Sequence, residues 1–282
     1  MGIVYENSQK VGPENYVVID RVSQRQYPAM LQMHYHPYYE IYVLISGKRK
    51  YFFQNRIVEL YPQDVLVIKP NDPHRCIPID EEELYYERYT INVDPSLFSR
   101  IEKNNKIIKD IFQKGVFSLE EDAFGRLLNT IKRIEDELRK DKTEYSYSIR
   151  NYIERILIEV LLYDTQIIRT NRFRKNDIRV QKALDYIVSN YDQNITRDNC
   201  AQICYMSKSN FTKVFYEVVG VNFKEYLNSV RIKKACDMLL ETNLSVSDIS
   251  SKVGYDNSTY FCQVFKRMMN KSPRDYRKES LK

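Results

Sequence analysis

Phe211-Thr-Lys-Val-Phe-Tyr-Glu-Val-Val-Gly220 and Phe261-Cys-Gln-Val-Phe-Lys-Arg-Met-Met-Asn270 are one pattern written twice, fifty residues apart. Phe211, Val214, Phe215, Val218 and Val219 match Phe261, Val264, Phe265, Met268 and Met269, and Tyr226 matches Tyr276. The apolar residues fall at helical spacing. Gly220 and Asn270 both tolerate the left-handed end of a helix. Self-similarity at a fixed period means one supersecondary unit built twice. Working outward, Thr196 caps a short helix from Arg197 to Cys204, Tyr205-Met206 turns, and Ser207 caps a second helix, Lys208 to Val219. In the other copy Ser247 is the expected cap, Gly254-Tyr255-Asp256 the turn, and Asn257 the cap of Ser258 to Met269. Ala201 and Ser250 are small where the two helices of each unit cross. Each copy is a helix-turn-helix, and the second turn is one residue longer than the first. A helix from Phe223 to Glu241 joins them. At about 1.5 Å per residue it spans roughly 28 Å, against roughly 34 Å between successive major-groove faces.

The charge supports a nucleic-acid partner for this segment. Of the net charge of +6, residues 177–282 carry 17 Lys+Arg against 12 Asp+Glu, or +5, and the other 176 residues carry 27 against 26. Within each second helix the apolar positions must face a core. This leaves Ser209, Asn210, Thr212 and Lys213 on the free face of the first, and Ser258, Thr259, Cys262 and Gln263 on that of the second. Lys can bond guanine, Gln can pair with adenine, and Ser and Thr are permissive. Lys208, Lys266, Arg267, Lys271 and Arg274 are the candidate phosphate contacts.

Tyr226-Leu-x-x-Val-Arg-Ile-x-x-Ala235-x-x-x-Leu-Leu240 resembles the signature of AraC-type transcription regulators. So does Ile249-x-x-x-x-Gly254-Tyr-x-x-x-x-Tyr-Phe261-x-x-x-Phe265-Lys, followed by Ser272-Pro-Arg-Asp-Tyr-Arg277. The resemblance implies base contacts from Ser209, Thr212 and Lys213 in the first unit. Tyr255 stands where Phe is common, Asn270 where Gly is common, and Arg197 and Cys200 replace more usual apolar residues.

Residues 16 to 93 read as strands: Tyr39 to Ile45, Lys50 to Phe53, Arg56 to Leu60, Val65 to Ile68 and Glu83 to Val93, with turns at Ser46-Gly47 and Gln54-Asn55. Short strands at this spacing suggest a small barrel or jelly roll. All three histidines lie here. His34-x-His36-x-x-x-Glu40, with Gly47 after six more residues, and Pro62-Gln-Asp64 followed by Val65 to Ile68 and Pro70-Asn-Asp-Pro-His74, resemble the two motifs of the cupin barrel. In metal-binding cupins these four residues would be ligands, and the set suits a divalent Zn, Fe, Mn or Ni ion. In sensor cupins of regulators they line a pocket. His34, His36, Glu40, His74 and Tyr42 are therefore the candidate effector pocket, with a divalent metal as the candidate cofactor. Tyr35, Tyr38, Tyr39, Tyr42, Tyr85, Tyr86 and Tyr89 could stack on a sugar.

Helical periodicity follows, first from Phe124 to Leu138 and then over residues 149–168, with Asp141-Lys-Thr143 between. The second helix has more apolar surface than one neighbour would cover, so a dimer interface is expected. Five scattered cysteines argue against a disulfide framework and for a reducing cytoplasm. Cys200-x-x-x-Cys204 reads as core. No apolar run of about 18 residues predicts a membrane span, and Met1 to Lys10 lacks the apolar stretch of a signal peptide.

The expectation is an α+β multidomain chain. Residues 1–105 form a cupin-like effector-binding barrel, 106–170 a helical dimerisation pair, 171–176 a linker, and 177–282 an all-α domain with two helix-turn-helix units. It is expected to be a regulator, not an enzyme. The expected partners are double-stranded DNA, a small effector such as a sugar, a second copy of the chain, and RNA polymerase. The alternatives are a metal-dependent cupin enzyme fused to a DNA-binding domain, or a DNA-binding regulator with no effector.

Overall fold

A computed structural model describes residues 4–5, 17–24, 33–53, 56–79, 85–97, 111, 114–139, 146–165 and 175–280. The expected turns at Gln54-Asn55 and Asp141 to Thr143, and residues 171–174 of the expected linker, lie outside them. The strands are β1 (Val4–Tyr5), β2 (Val17–Gln24), β3 (His34–Tyr35), β4 (Tyr39–Ser46), β5 (Arg49–Phe53), β6 (Arg56–Leu60), β7 (Asp64–Ile68), β8 (His74–Pro78), β9 (Tyr86–Val93) and β10 (Val116–Ser118). They form two five-stranded sheets, ordered β1-β3-β8-β5-β6 and β10-β7-β4-β9-β2. Every pairing is antiparallel except the parallel pair β1 and β3.

Side-chain alternation sorts each strand between two surroundings. Tyr42, Leu44, Leu66 and Ile68 of one sheet meet Tyr51, Phe53 and Leu60 of the other in a closed barrel interior. The intervening residues of β4, β7 and β9 (Ile41, Val43, Val65, Val67, Tyr89, Ile91 and Val93) point out of the barrel. They bury themselves against α1 (Glu121–Leu138) and α2 (Ser146–Leu162). Arg126 near the start of α1 pairs with Glu159 near the end of α2, so the helices run antiparallel.

The apolar surface of α2 goes mainly to its own barrel: Ile149, Ile153, Ile156, Leu157 and Val160 are all buried there. Ile158, Leu162 and Tyr163 remain exposed. The helix stops at Leu162, short of the expected 168. Asp164 bridges back to Leu119, accepts a hydrogen bond from the Ser118 amide at 3.1 Å and pairs with Lys114.

Seven helices follow: α3 (Lys175–Ser189), α4 (Arg197–Ile203), α5 (Lys208–Val219), α6 (Phe223–Glu241), α7 (Val246–Lys252), α8 (Ser258–Met269) and α9 (Pro273–Ser280). Thr196, Ser207 and Asn257 cap their helices as expected. The cap of α7 is Ser245, not Ser247, because Ser245 and Asp248 form a reciprocal capping box. Ser247 instead falls in the first turn. Helix α6 serves both units: Tyr226, Leu227 and Val230 enter the first core, while Ile232, Ala235, Cys236 and Leu239 enter the second.

The barrel docks on this domain through the outer face of its β1-β3-β8-β5-β6 sheet. Phe52 and Ile57 join the core of the first unit with neighbouring Met33, and Tyr35 joins that of the second. The ring of Phe52 meets Tyr226 edge-on at 5.6 Å between centroids. Gly220 ends α5 with φ of 89°, and a Cβ there would sit 2.4 Å from the Arg75 Nη1 of β8. Asn270 takes the same role at φ of 58°. Gly220→Ala is expected to destabilise the chain by about 1–3 kcal/mol through backbone strain. Adding Arg75→Ala removes the collision and leaves the strain. Calorimetry of both single variants and the double should show partial recovery; full recovery would mean the backbone conformation costs nothing.

Candidate DNA-reading surface and barrel interior

Both second helices keep one face buried and one free. Phe211, Val214 and Phe215 of α5, and Phe261, Val264 and Phe265 of α8, are at most 4% exposed. Ser209, Asn210, Thr212, Lys213, Ser258, Thr259 and Gln263 are exposed with the barrel docked, and Cys262 is half-buried. The Ser207 hydroxyl accepts from the Asn210 amide at 3.3 Å, and the Asn257 side chain from the Tyr260 amide at 2.9 Å. These caps fix the helix starts that would enter a groove. Lys213 lies 3.9 Å from Glu217 one turn on, and Lys208 pairs with Asp198 at 2.7 Å. All four side chains are largely in water, so DNA phosphates can compete for these lysines.

Lys266, Arg267 and Arg274 are exposed, as a phosphate-contacting set requires. Lys271 differs. It is half-buried and lines a cleft of about 610 Å³ between the barrel and the DNA-binding domain, with Lys69, Lys233 and Tyr276. Sequence spacing alone could not show this, because the cleft exists only where the two domains meet. A second cleft of about 620 Å³ lies between the two helix-turn-helix units, lined by Arg197, Thr212, Lys224, Arg231 and Tyr260. Cys200 and Cys204 are buried in the first core, and burial pushes their thiols up to about 12 and about 11.

In the barrel, His34, His36, Glu40, His74 and Tyr42 are all at most 2% exposed. Donor atoms of His36, Glu40 and His74 lie within 4.8 Å of one another. His34 stands beside them, its ring 4.2 Å from that of His74. His36 Nδ1 donates to the Tyr38 carbonyl at 2.9 Å, and His74 Nδ1 to the Asp72 carbonyl at 2.8 Å. A carbonyl only accepts, so both Nδ1 atoms carry the proton. Both Nε2 atoms then turn to Glu40, at 2.9 Å and 3.8 Å from Oε2. The close His36–Glu40 contact needs one proton between the two atoms or a cation in its place. Burial pushes the Glu40 carboxyl up, but the hydrogen bond with His36 and the surrounding imidazoles bring it down to about 2. Burial holds His74 well below its usual range, so its Nε2 is a bare lone pair.

Of the tyrosines singled out in the sequence, Tyr42 points inward. Tyr39 and Tyr89 face the helical pair, Tyr35 faces the DNA-binding domain, and Tyr85 is exposed. Tyr38 stacks on His36 at 4.0 Å. Sequence reading missed Tyr51, Arg88 and Thr90, which the sheets bring into the interior. Their signal is the alternation in β9, where Arg88 and Thr90 interleave with Tyr89 and Ile91.

This is a two-domain architecture: a double-sheet ligand-binding domain followed by a paired helix-turn-helix domain. Residues 16–144 match the family described as AraC-like ligand binding domain, and residues 200–279 match the Helix-turn-helix domain family. The transcriptional activator RhaR of Mannheimia succiniciproducens is 23% identical over 283 residues, covering 98% of this chain and 96% of that one. The C-terminal domain of AraT, a response regulator from Geobacillus stearothermophilus, is 31% identical over 36% of this chain and 84% of its own, with a TM-score of 0.35. ToxT of Vibrio cholerae covers 93% of this chain and 97% of its own at 15% identity, with a TM-score of 0.36. The chain belongs to the AraC type of transcription regulators, DNA-binding proteins with a ligand-binding domain. No helix among the described residues is long and apolar enough to cross a membrane.

Lys213→Ala is expected to remove about 1–3 kcal/mol of preference at one base pair. Lys266→Ala should weaken binding to every sequence alike and reduce the salt slope by about one unit. Anisotropy titrations on variant duplexes at several salt concentrations separate the two. Uniform loss across sequences for Lys213→Ala would show that it meets only phosphate.

Proposed function

We propose that the chain is an effector-responsive regulator whose monomer reads an asymmetric DNA half-site. Ser209, Thr212 and Lys213 of α5, and Ser258, Thr259, Cys262 and Gln263 of α8, read bases. Lys208, Lys266, Arg267 and Arg274 hold phosphates. The barrel interior takes the effector. The observation that carries this reading is the β1-β3-β8-β5-β6 sheet, whose neighbouring residues pack to opposite sides. His34, Tyr51 and His74 point into the interior, while Tyr35, Phe52 and Arg75, each next in sequence, point to the DNA-binding domain.

One path through the sheet edge is explicit. The Asp72 carbonyl holds the His74 ring, and the Asp72 carboxylate pairs with Lys233 of α6. Asp72 is 2% exposed. Burial pushes the Lys233 ammonium down to about 8, with Asp237 opposing. An effector that moves His74 therefore disturbs a contact on the helix that joins the two reading units. The bias it creates equals its difference in affinity for the docked and altered states.

Two inward tyrosines, Tyr42 and Tyr51, support a hydroxyl-bearing ligand such as a carbohydrate. Ile158 and Leu162, one turn apart and exposed on α2, support assembly as a homodimer. This reading carries with it the cytoplasm as compartment and RNA polymerase as a further partner.

A second reading concerns His36, Glu40 and His74. Two Nε2 atoms and a carboxylate, oriented by carbonyls behind both rings, fit a divalent transition ion. Such an ion would supply a Lewis-acidic centre for an effector oxygen. Metal analysis of the purified chain is expected to find stoichiometric metal that His74→Ala removes. Its absence from the native chain would leave the three residues as pocket lining.

Footprinting of the full chain on genomic fragments tests the function itself. Non-palindromic half-sites are expected. Lys233→Ala should change occupancy about 5-fold or more at the same sequences, although it faces the barrel. Palindromic half-sites within one monomer's footprint, or no protected sites, would overturn the reading.

A further inference from the structure

Resting on the reading that the barrel holds an effector, we propose that this effector is a small hydroxy-carboxylate and that Arg88 anchors its carboxylate. Arg88 lies on the inward face of β9 and is 9% exposed. Its Nη1 has no hydrogen-bond partner among the described residues. No carboxylate of the described residues lies at ion-pair distance; its near neighbour is the Tyr42 ring, 5.5 Å from the guanidinium. An unpaired guanidinium inside a protein is expensive and is retained where something else pairs with it.

The charges that share the interior do not discharge it. Glu40 is held by His36 at 2.9 Å and faces His74. Asp64 already accepts from the Tyr61 amide and the Ser118 hydroxyl. Asp20, across from Thr90 on β2, is partly exposed. A second guanidinium, Arg49, lies at the same end, 3.7 Å over the Tyr86 ring and 4% exposed. One end of the interior is thus cationic and the other holds a carboxylate within an imidazole cluster.

Beside Arg88, the Tyr42 hydroxyl and Thr90 Oγ1 are buried with no hydrogen-bond partner among the described residues, and the Tyr51 hydroxyl faces the weak Cys76 thiol. A guanidinium fork matches a carboxylate in bidentate geometry. The hydroxyls match hydroxyls on the rest of the ligand. A neutral sugar would leave the fork unpaired. A phosphate ester would bring a second negative charge into a space already holding Glu40.

Calorimetric titration and thermal shift on the full chain test this. D-gluconate and D-galacturonate serve as carboxylate probes, D-glucose and D-galactose as neutral ones, and glucose phosphate as the phosphorylated one. At least one carboxylate should bind and raise the Tm where its neutral counterpart does not. Arg88→Met should weaken that binding by about 10-fold or more. It should also raise the Tm of the free chain, because an apolar side chain replaces an unpaired buried charge. Arg88→Lys keeps the charge without the fork, so it should bind the same acid more weakly and still reject the neutral sugar. Neutral sugars binding equally well, unaffected by Arg88→Met, would overturn the anion assignment and leave the effector reading standing. Binding of glucose phosphate alone would do the same. Silence from every probe would overturn both.

Discussion

The structure depends on one sheet that is packed from two sides, by the barrel interior and by the DNA-binding domain. In β3, β5 and β8 of this sheet, alternate residues are divided between the barrel interior and the DNA-binding domain. Tyr51 and Phe52 are adjacent residues with opposite duties, as are His74 and Arg75. A slip of one residue would exchange the two sets. The ladder β6-β5-β8, continuous from Arg49–Leu60 to Phe53–His74, prevents that slip. The ligand chamber and the docking surface are therefore two sides of a single layer. Neither can be rebuilt without the other.

The two sides are built from different chemistry. The docking side is largely apolar: Met33, Phe52 and Ile57 contribute area at roughly 1.5–3 kcal/mol per fully buried large side chain. The chamber side holds Arg88 Nη1, Thr90 Oγ1 and the Tyr42 hydroxyl without hydrogen-bond partners among the described residues, and each such group costs stability. Apolar docking and the α1–α2 layer offset that cost. A protein selected only for stability would fill the chamber with leucine. Polar groups kept at such cost are the ones the proposed effector would pair with.

Most of the architecture could be read in the chain because its causes are local. Helix periodicity, the caps Thr196, Ser207 and Asn257, and the left-handed ends at Gly220 and Asn270 need only neighbours a few residues away. The same locality explains the slips. Ser245 and Ser247 both precede apolar residues, and the capping box with Asp248 decides between them. The apolar pattern over 149–168 continues past Leu162, but Asp164 is drawn to Leu119 and Ser118 by contacts far away in sequence. The histidine motifs announced the chamber. Arg88 stayed hidden because a charged residue in a strand reads as solvent-facing until both sheets are placed. The half-burial of Lys271 is not legible in the sequence because its cleft forms only between domains.

The asymmetry of the repeat acquires a structural cause beyond the different side chains on its two exposed helix faces. The first unit meets the barrel through Phe52 and Arg75, at Tyr226 and the end of α5. The second meets it through Tyr35 and an Asn71–Tyr276 hydrogen bond of 3.4 Å. Between them α6 carries Tyr226 and Lys233, two turns apart, each held by the barrel, while its buried apolar residues enter both cores. A helix buried along so much of its circumference cannot bend without emptying a core. Displaced at one end, it would shift as one unit. A change in the chamber that shifts Asp72 or Phe52 therefore reaches α5 and α8 together, through the axis that fixes their spacing, rather than one unit at a time.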